Sequence, residues 1–401
     1  MNEEVRAPVL ASALLGAQIF TSELDFAKVG LTSEGGVDLA RWALLAPLWF
    51  LPLFVLLCRS GSLSHLAWAR PQRYMTLWLL WSLASVLWSV DSRQTLLQGT
   101  ALAALWITAM WFTHQWGFAA LARIFVAATS LLLLSGLVRD LLTNGLGPGS
   151  GRAEGLTFNP TNLARVAVLA VLVAGWLLLR TPDRRGWAWV ALPTGLVVLA
   201  VSESRVAVLS LLVAVLYVIF RRFGGRIALG VGAGIAVLAL IAIAWVGSPI
   251  EAVGREANPT DLGSLNGRTT IWAVGTELAE ARPLIGYGTA SGEALWFEAA
   301  RDGDISWLAV NAHNLALEIL LALGIVGLAL FGAGLFSYVR RGFGVDVGLD
   351  ALLLAILLIG ATEALVNRPS STVMLLGALF AIASAHAVAT APPARVVAVA
   401  R

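Results

Sequence analysis

The stretch that decides the fold is 313–337, HNLALEILLALGIVGLALFGAGLFS. After Glu318 no charge appears until Arg340. An unbroken apolar run of about 20 residues matches the hydrocarbon core of a bilayer crossed by an α-helix. A strand crossing in a barrel would alternate apolar and polar over roughly ten residues. Working outward, comparable runs bounded by charge fall at 5–22, 40–57, 74–90, 95–112, 117–138, 161–180, 187–202, 205–221, 226–247, 350–366 and 371–390. The expected architecture is an all-α polytopic membrane protein of about 12 transmembrane helices, read as a single transmembrane domain over 1–401.

Composition agrees. Hydrophobic residues make up 58% of the chain and charged residues 13%, against about 25% charged in an ordinary soluble domain. Mean hydropathy is +0.82. So thin a charged coat excludes a cytosolic enzyme, a disordered chain and a nucleic-acid binder with basic tracts. Cys58 is the one cysteine, so there is no disulfide framework. His65, His114, His313 and His386 never cluster, which argues against a multi-histidine metal site.

Orientation follows from basic residues, which favour the cytoplasmic side. With the N-terminus inside, Arg180, Arg184, Arg185, Arg221, Arg222, Arg226, Arg340 and Arg341 fall inside, while most acids fall outside. The start carries Glu3 and Glu4 and no cleavage site after its apolar run, so it reads as an uncleaved first helix. An even number of spans then puts both termini in the cytoplasm. Trp42, Trp68, Trp88, Trp116, Trp187 and Trp272 stand near expected span ends, as interfacial anchors do.

Two outer segments are too long to be turns. One is 139–160, RDLLTNGLGPGSGRAEGLTFNP; the other is the periplasmic loop 248–312 between helices 9 and 10. Within the second, 269–281 reads as a short amphipathic helix ended by Arg282-Pro283.

Arginine on the outer side runs against the topology bias, and arginine cannot shed its charge. Arg152, Arg205, Arg268, Arg282, Arg301 and Arg368 all map there. As a set they suit a multi-oxygen anion such as a phosphate or pyrophosphate. Pairing with acids such as Glu203 or Glu363 is the competing reading for each one singly. His313 stands at the outer mouth of the tenth span, where imidazole can take or orient a hydroxyl proton; an interfacial histidine bonded to a loop is its plainer reading. Asn314 is placed to cap or bond locally. Gly324 and Gly327 allow close helix approach lower down. Glu363 reads as a packing residue or a partner of Arg368. Asp302-Gly303-Asp304 has a metal-binding look but is only two acids in an acidic loop. No GxxxxGK[ST] phosphate loop is present, which argues against an ATP-driven pump.

Taken in order, several segments resemble the O-antigen ligase and polymerase superfamily of envelope glycan-transfer proteins. They are Ser85-Val86-Leu87-Trp88-Ser89-Val90-Asp91, the run Gly155 to Asn162, Ser202-Glu203-Ser204-Arg205, Gly267-Arg268-Thr269-Thr270-Ile271-Trp272, Arg282-Pro283-Leu284-Ile285-Gly286-Tyr287-Gly288, and above all His313-Asn314 with Gly324, Gly327 and Leu328. The resemblance implies a GT-C-like glycosyltransferase in the bacterial inner membrane with its active site on the periplasmic face. It implies an undecaprenyl-pyrophosphate-linked glycan donor, a lipid A-core or lipid-linked glycan acceptor, and no metal or other cofactor. The family histidine maps to His313 and the outer arginines best match Arg205 and Arg268. Arg282 and Arg368 are looser matches, with Arg152, Arg301, Asn314 and Tyr287 as further substrate-binding candidates. Ligase is preferred over polymerase. A lipid-linked glycan transporter without chemistry is the competing class, although the midplane charges and repeat symmetry common in transporters are absent.

Overall fold

The computed structural model describes residues 3–25, 67–69, 71–143, 145, 152–157, 159–181, 186–227, 229–234, 268–303, 305, 311–365 and 369–389. The expected span 40–57, most of 226–247 and Arg368 lie outside them. Every regular element among the described residues is helical. In chain order these are α1 (Glu3–Glu23), α2 (Gln72–Ala84), a 3₁₀ turn (Ser85–Leu87), α3 (Ser92–Trp116), α4 (Phe118–Thr143), α5 (Pro160–Arg180) and α6 (Gly186–Ser202). After them come α7 (Arg205–Phe223), α8 (Arg268–Ala281), α9 (Gly292–Asp302), α10 (Leu315–Arg341), α11 (Val347–Gly360) and α12 (Ser371–Ala389).

Six of these, α3, α4, α5, α7, α10 and α12, are long and apolar enough to cross a membrane, and α6 and α11 are shorter apolar helices. The protein is thus a multi-pass α-helical membrane protein. The rest of the expected 12 spans correspond to α1, to the 13-residue α2, or to residues outside the described set.

Three expected boundaries move. The run 74–90 stops being α-helical at Ala84, because Ser85 turns to bond Thr289 through its hydroxyl. The run 350–366 ends at Gly360, where Ala361 and Thr362 form a turn on the carbonyls of Leu357 and Ile359. That turn lifts Glu363 off the helix. The run 313–337 begins at Leu315, because the Asn314 side chain caps it by accepting from the Leu317 N–H.

Helices pack in pairs, α5 on α6, α7 on α11 and α2 on α10 as antiparallel neighbours, and α3 on α12 in parallel, with Trp106 against Phe380 and Met110 against Ala381. Between lipid-facing helices, van der Waals contact and small residues carry association. Gly195 of α6 is one such point, since a Cβ there would run into Val171 of α5. One large apolar core joins these helices. A second, smaller core forms from Ile271 and Ala279 of α8, Trp296 and Ala299 of α9, and Ala312 and Leu321 beside and on α10. The segment that holds α8 and α9 therefore packs against α10.

The helix α10 is broken at Gly324, whose φ of 66° and ψ of −169° are not helical. The break lies about 14 Å from the helix start at 1.5 Å per residue, deep enough that loose backbone groups must find partners within the protein. They do. The Leu321 and Ala322 carbonyls accept from the N–H groups of Tyr287 and Gly288, both at 2.8 Å, and the Leu323 carbonyl accepts from the Trp81 indole at 3.1 Å. Below the break, the Ile325 and Val326 N–H groups donate to the carbonyls of Pro283 and Leu284 at 2.8 and 3.4 Å. Residues 283–288 thus replace the missing turn of helix. The fit is tight: a Cβ on Gly324 would collide with the Leu284 carbonyl, and one on Gly286 with the Leu321 carbonyl. Expected only to ease helix packing, Gly324 instead admits a loop into the helix.

Candidate functional site

The start of α10 is held from several sides. The carboxylate of Glu318, nearly fully buried, accepts from the Ala312 N–H at 2.7 Å. The Trp272 indole of α8 donates to the Ala312 carbonyl at 3.0 Å. The His313 N–H donates to the Asn311 side chain at 2.9 Å. These bonds hold His313 at φ 47°, a left-handed conformation uncommon for residues with a Cβ. Among the described residues the other non-glycine residue at positive φ is Glu203, at 52°. Both belong to motifs singled out from sequence, and strain of this kind gathers at functional sites.

From that backbone the His313 ring reaches Glu363, with Nδ1 at 3.2 Å from Oε2. The other oxygen of Glu363, Oε1, is 2.7 Å from the Arg268 guanidinium at the start of α8. A carboxylate on the turn after α11 therefore joins an arginine and a histidine from two other helices. With the proton on Nδ1, donated to the carboxylate, the imidazole lone pair sits on Nε2. The arrangement can fix a ring, set its tautomer and stabilise a positive charge that forms on it.

The remaining candidates divide. Arg205 starts α7 with an exposed side chain, and among the described residues it has no ion pair or hydrogen bond. It stands where the helix N-terminus adds to its positive field. Arg282 is exposed and stacks over the Tyr287 ring at 4.7 Å. Tyr287 is buried, and its hydroxyl donates to the Leu278 carbonyl at 3.0 Å, which steadies the loop entering the α10 break. Arg152 donates through Nε to the Ser202 carbonyl at 2.8 Å, docking 152–157 on the end of α6. Arg301 is exposed and pairs with Asp302 at 3.1 Å. Asn314 spends its side-chain oxygen on the cap of α10. Arg368 and Asp304 fall outside the described residues. The structure brings together His313 and Arg268 through Glu363, expected from sequence to be a packing residue, a partner of Arg368 or an acid pairing with one of the other outer arginines; it pairs with Arg268. Nothing local signals that role, since Glu363 is 50 residues from His313 and 95 from Arg268. Among the described residues no group of three or more His, Cys, Asp or Glu is arranged to hold a metal ion.

Charge divides between the two ends of the helices. The end with His313 also carries Glu23, Asp91, Asp140, Glu203 and Glu363, at termini of α1, α3, α4, α6 and α11, with Arg152, Arg165, Arg205 and Arg268 among them. The far end carries Arg180, Arg221, Arg222, Arg340 and Arg341 in the last turns of α5, α7 and α10.

Residues 190–332, from α6 through most of α10, match the O-antigen ligase family. A stretch of 112 residues is 29% identical to exopolysaccharide production protein ExoQ of Rhizobium meliloti (strain 1021). That stretch covers 26% of this chain and 24% of that protein, so the chain spans about a quarter of the length of the curated relative it matches.

Proposed function

From the match of residues 190–332 to the O-antigen ligase family, we propose that the chain belongs to the O-antigen ligase and polymerase superfamily and is a membrane glycosyltransferase. In this reading it moves a glycan from undecaprenyl pyrophosphate to a sugar hydroxyl of lipid A-core, without a metal ion and with inversion, from a GT-C-like scaffold. The observation that carries it is the chain His313–Glu363–Arg268 at the strained mouth of α10. The acidic His313 end would face the periplasm of a bacterial inner membrane, with both termini in the cytoplasm, as the arginines of the far end support.

The chemistry balances in one displacement. The acceptor hydroxyl oxygen bonds to the anomeric carbon while the bond from that carbon to the pyrophosphate oxygen breaks. The hydroxyl proton passes to His313 Nε2, and the electron pair leaves with the pyrophosphate. Glu363 steadies the imidazolium that results. Fixed cationic groups in a partly dry site can stabilise the departing charge; Arg205 is assigned to it, with Arg282 and Arg368 in support and Arg268 contributing through its hold on Glu363. Asn314, Tyr287, Arg152 and Arg301 are assigned supporting roles in binding the substrate.

The exopolysaccharide relative favours a second reading, a polymerase that joins lipid-linked repeat units. A reconstituted assay with one lipid-linked donor and two acceptors, lipid A-core and a second lipid-linked repeat, separates the two by product. Transport of intact donor across liposomes lacking any acceptor would favour a transporter instead. Full transfer by both His313→Ala and Arg205→Ala at normal expression would overturn the site.

A further inference from the structure

At the end of the helices away from His313, a cavity of about 300 Å³ opens between α5, α6, α7 and α11. Its walls are almost wholly apolar, with Gly175, Trp176, Val215 and Ile219 among them, and its rim carries Arg180, Arg222 and Asp346. The volume is at the lower bound of small-molecule sites, roughly 300–1,000 Å³. Gly175 gives it depth, because a Cβ there would meet nothing within 4 Å.

The rim is not electrically balanced. Asp346 is fully engaged: one oxygen accepts from the Arg180 guanidinium at 2.8 Å, the other from the Trp176 indole at 3.2 Å and from the N–H groups of Gly348 and Leu349. Neighbouring Arg221 lies over the Tyr217 ring. Arg222 is exposed, lines the same opening and, among the described residues, has no ion pair or hydrogen bond. Among the described residues, one cation therefore remains at the mouth of an apolar cavity between membrane helices.

We propose that this cavity is a binding site for an anionic glycerophospholipid, one acyl chain lying along Gly175, Val215 and Ile219 and the phosphate held by Arg222 with Arg180. An apolar slot alone would take any chain; the surplus arginine selects an anionic headgroup, as basic pockets between transmembrane helices do. The site is separate from the glycan reaction, which belongs to the opposite end.

The test uses the full chain purified in mild detergent, with phosphatidylglycerol and phosphatidylcholine offered in equal amounts and bound lipid counted by native mass spectrometry. The wild type is expected to retain phosphatidylglycerol preferentially. Arg222→Gln should reduce that preference about fivefold, the weight of one arginine near a headgroup. Gly175→Leu should fill the cavity and reduce retention of either lipid. Equal retention of the two lipids by the wild type overturns the proposal, as does phosphatidylglycerol retention unchanged in Gly175→Leu. If Gly175→Leu does not fold, Arg222→Gln decides alone, since its side chain is exposed, and an unchanged preference overturns the proposal.

Discussion

Glu23 and Glu363 stand at the same end of the helices and bind arginine at nearly the same distance, 2.6 Å to Arg165 and 2.7 Å to Arg268. Their surroundings differ. Glu23 and Arg165 are 2% and 8% exposed. The second oxygen of Glu23 accepts from both the N–H and the hydroxyl of Ser371 at the start of α12. Its partners are fixed, and together they tie α1, α5 and α12. Glu363 is 12% exposed, Arg268 22% and His313 17%, and the second oxygen of Glu363 meets a ring that can gain or lose a proton. A saturated, buried carboxylate holds helices together; one that stays reachable and ends on a histidine is equipped to move a proton.

The contrast can be broken first at its buried side. Arg165→Ala leaves the Glu23 carboxylate buried against the Ser371 donors alone, which should cost about 3–5 kcal/mol of stability. The expected result is a large drop in Tm and in folded yield, with specific transfer activity of the surviving protein retained. A Tm equal to wild type would remove the structural reading of this pair.

Next comes the loop that completes α10, the helix that follows His313. Gly324→Ala would place a methyl group against the Leu284 carbonyl at a left-handed φ. Strain and overpacking together should cost about 3 kcal/mol. Hydrogen exchange at Ile325, Val326, Tyr287 and Gly288 should rise with the change. Unaltered exchange at these amides would mean that residues 283–288 do not complete α10.

The Glu363 side should respond more in rate than in stability. Glu363→Gln keeps the shape and removes the charge facing His313 and Arg268. Loss of charge-assisted bonding worth about 1.5–3 kcal/mol corresponds to roughly 10- to 150-fold in transfer. A Tm loss smaller than that of Arg165→Ala is expected, because the amide still fills the space and keeps neutral hydrogen bonds to its neighbours. A large Tm loss with unchanged transfer would make Glu363 a second Glu23.

Helix positions were legible because each apolar run is closed by charge or by a capping residue. The run 161–180 became Pro160–Arg180 and 205–221 became Arg205–Phe223. The Asp91, Asn159 and Asp346 caps act within three residues of their own position. The amphipathic helix in the outer loop was readable for the same reason, ending before Arg282-Pro283. Two features were not. The break in α10 leaves no mark in an apolar run, because the groups that complete it come from Pro283 to Gly288, about 40 residues earlier, and from Trp81, 242 residues away. The role of Glu363 depends likewise on where α8 and α10 begin in space. His313 and Arg268 could be named from local motif, and Glu363 as an acid open to an outer arginine; that the same carboxylate also meets His313 could not.

Asn314 gives the smallest effect and the sharpest division between holding the site and belonging to it. Its side-chain oxygen caps α10 through the Leu317 N–H at 3.1 Å, and it directly follows His313. Asn314→Ala should cost about 1 kcal/mol through the lost cap, with a modest fall in Tm and a small fall in transfer as His313 loosens. Asn314→Asp keeps the capping oxygen, replaces the amide nitrogen by oxygen and adds a negative charge that also suits a helix N-terminus. If the residue acts through the cap, Asn314→Asp should restore both Tm and transfer. If transfer is lost while Tm is normal, the amide contacts a substrate, and Asn314 moves from the structural side of the comparison, with Glu23, to the reactive side, with Glu363.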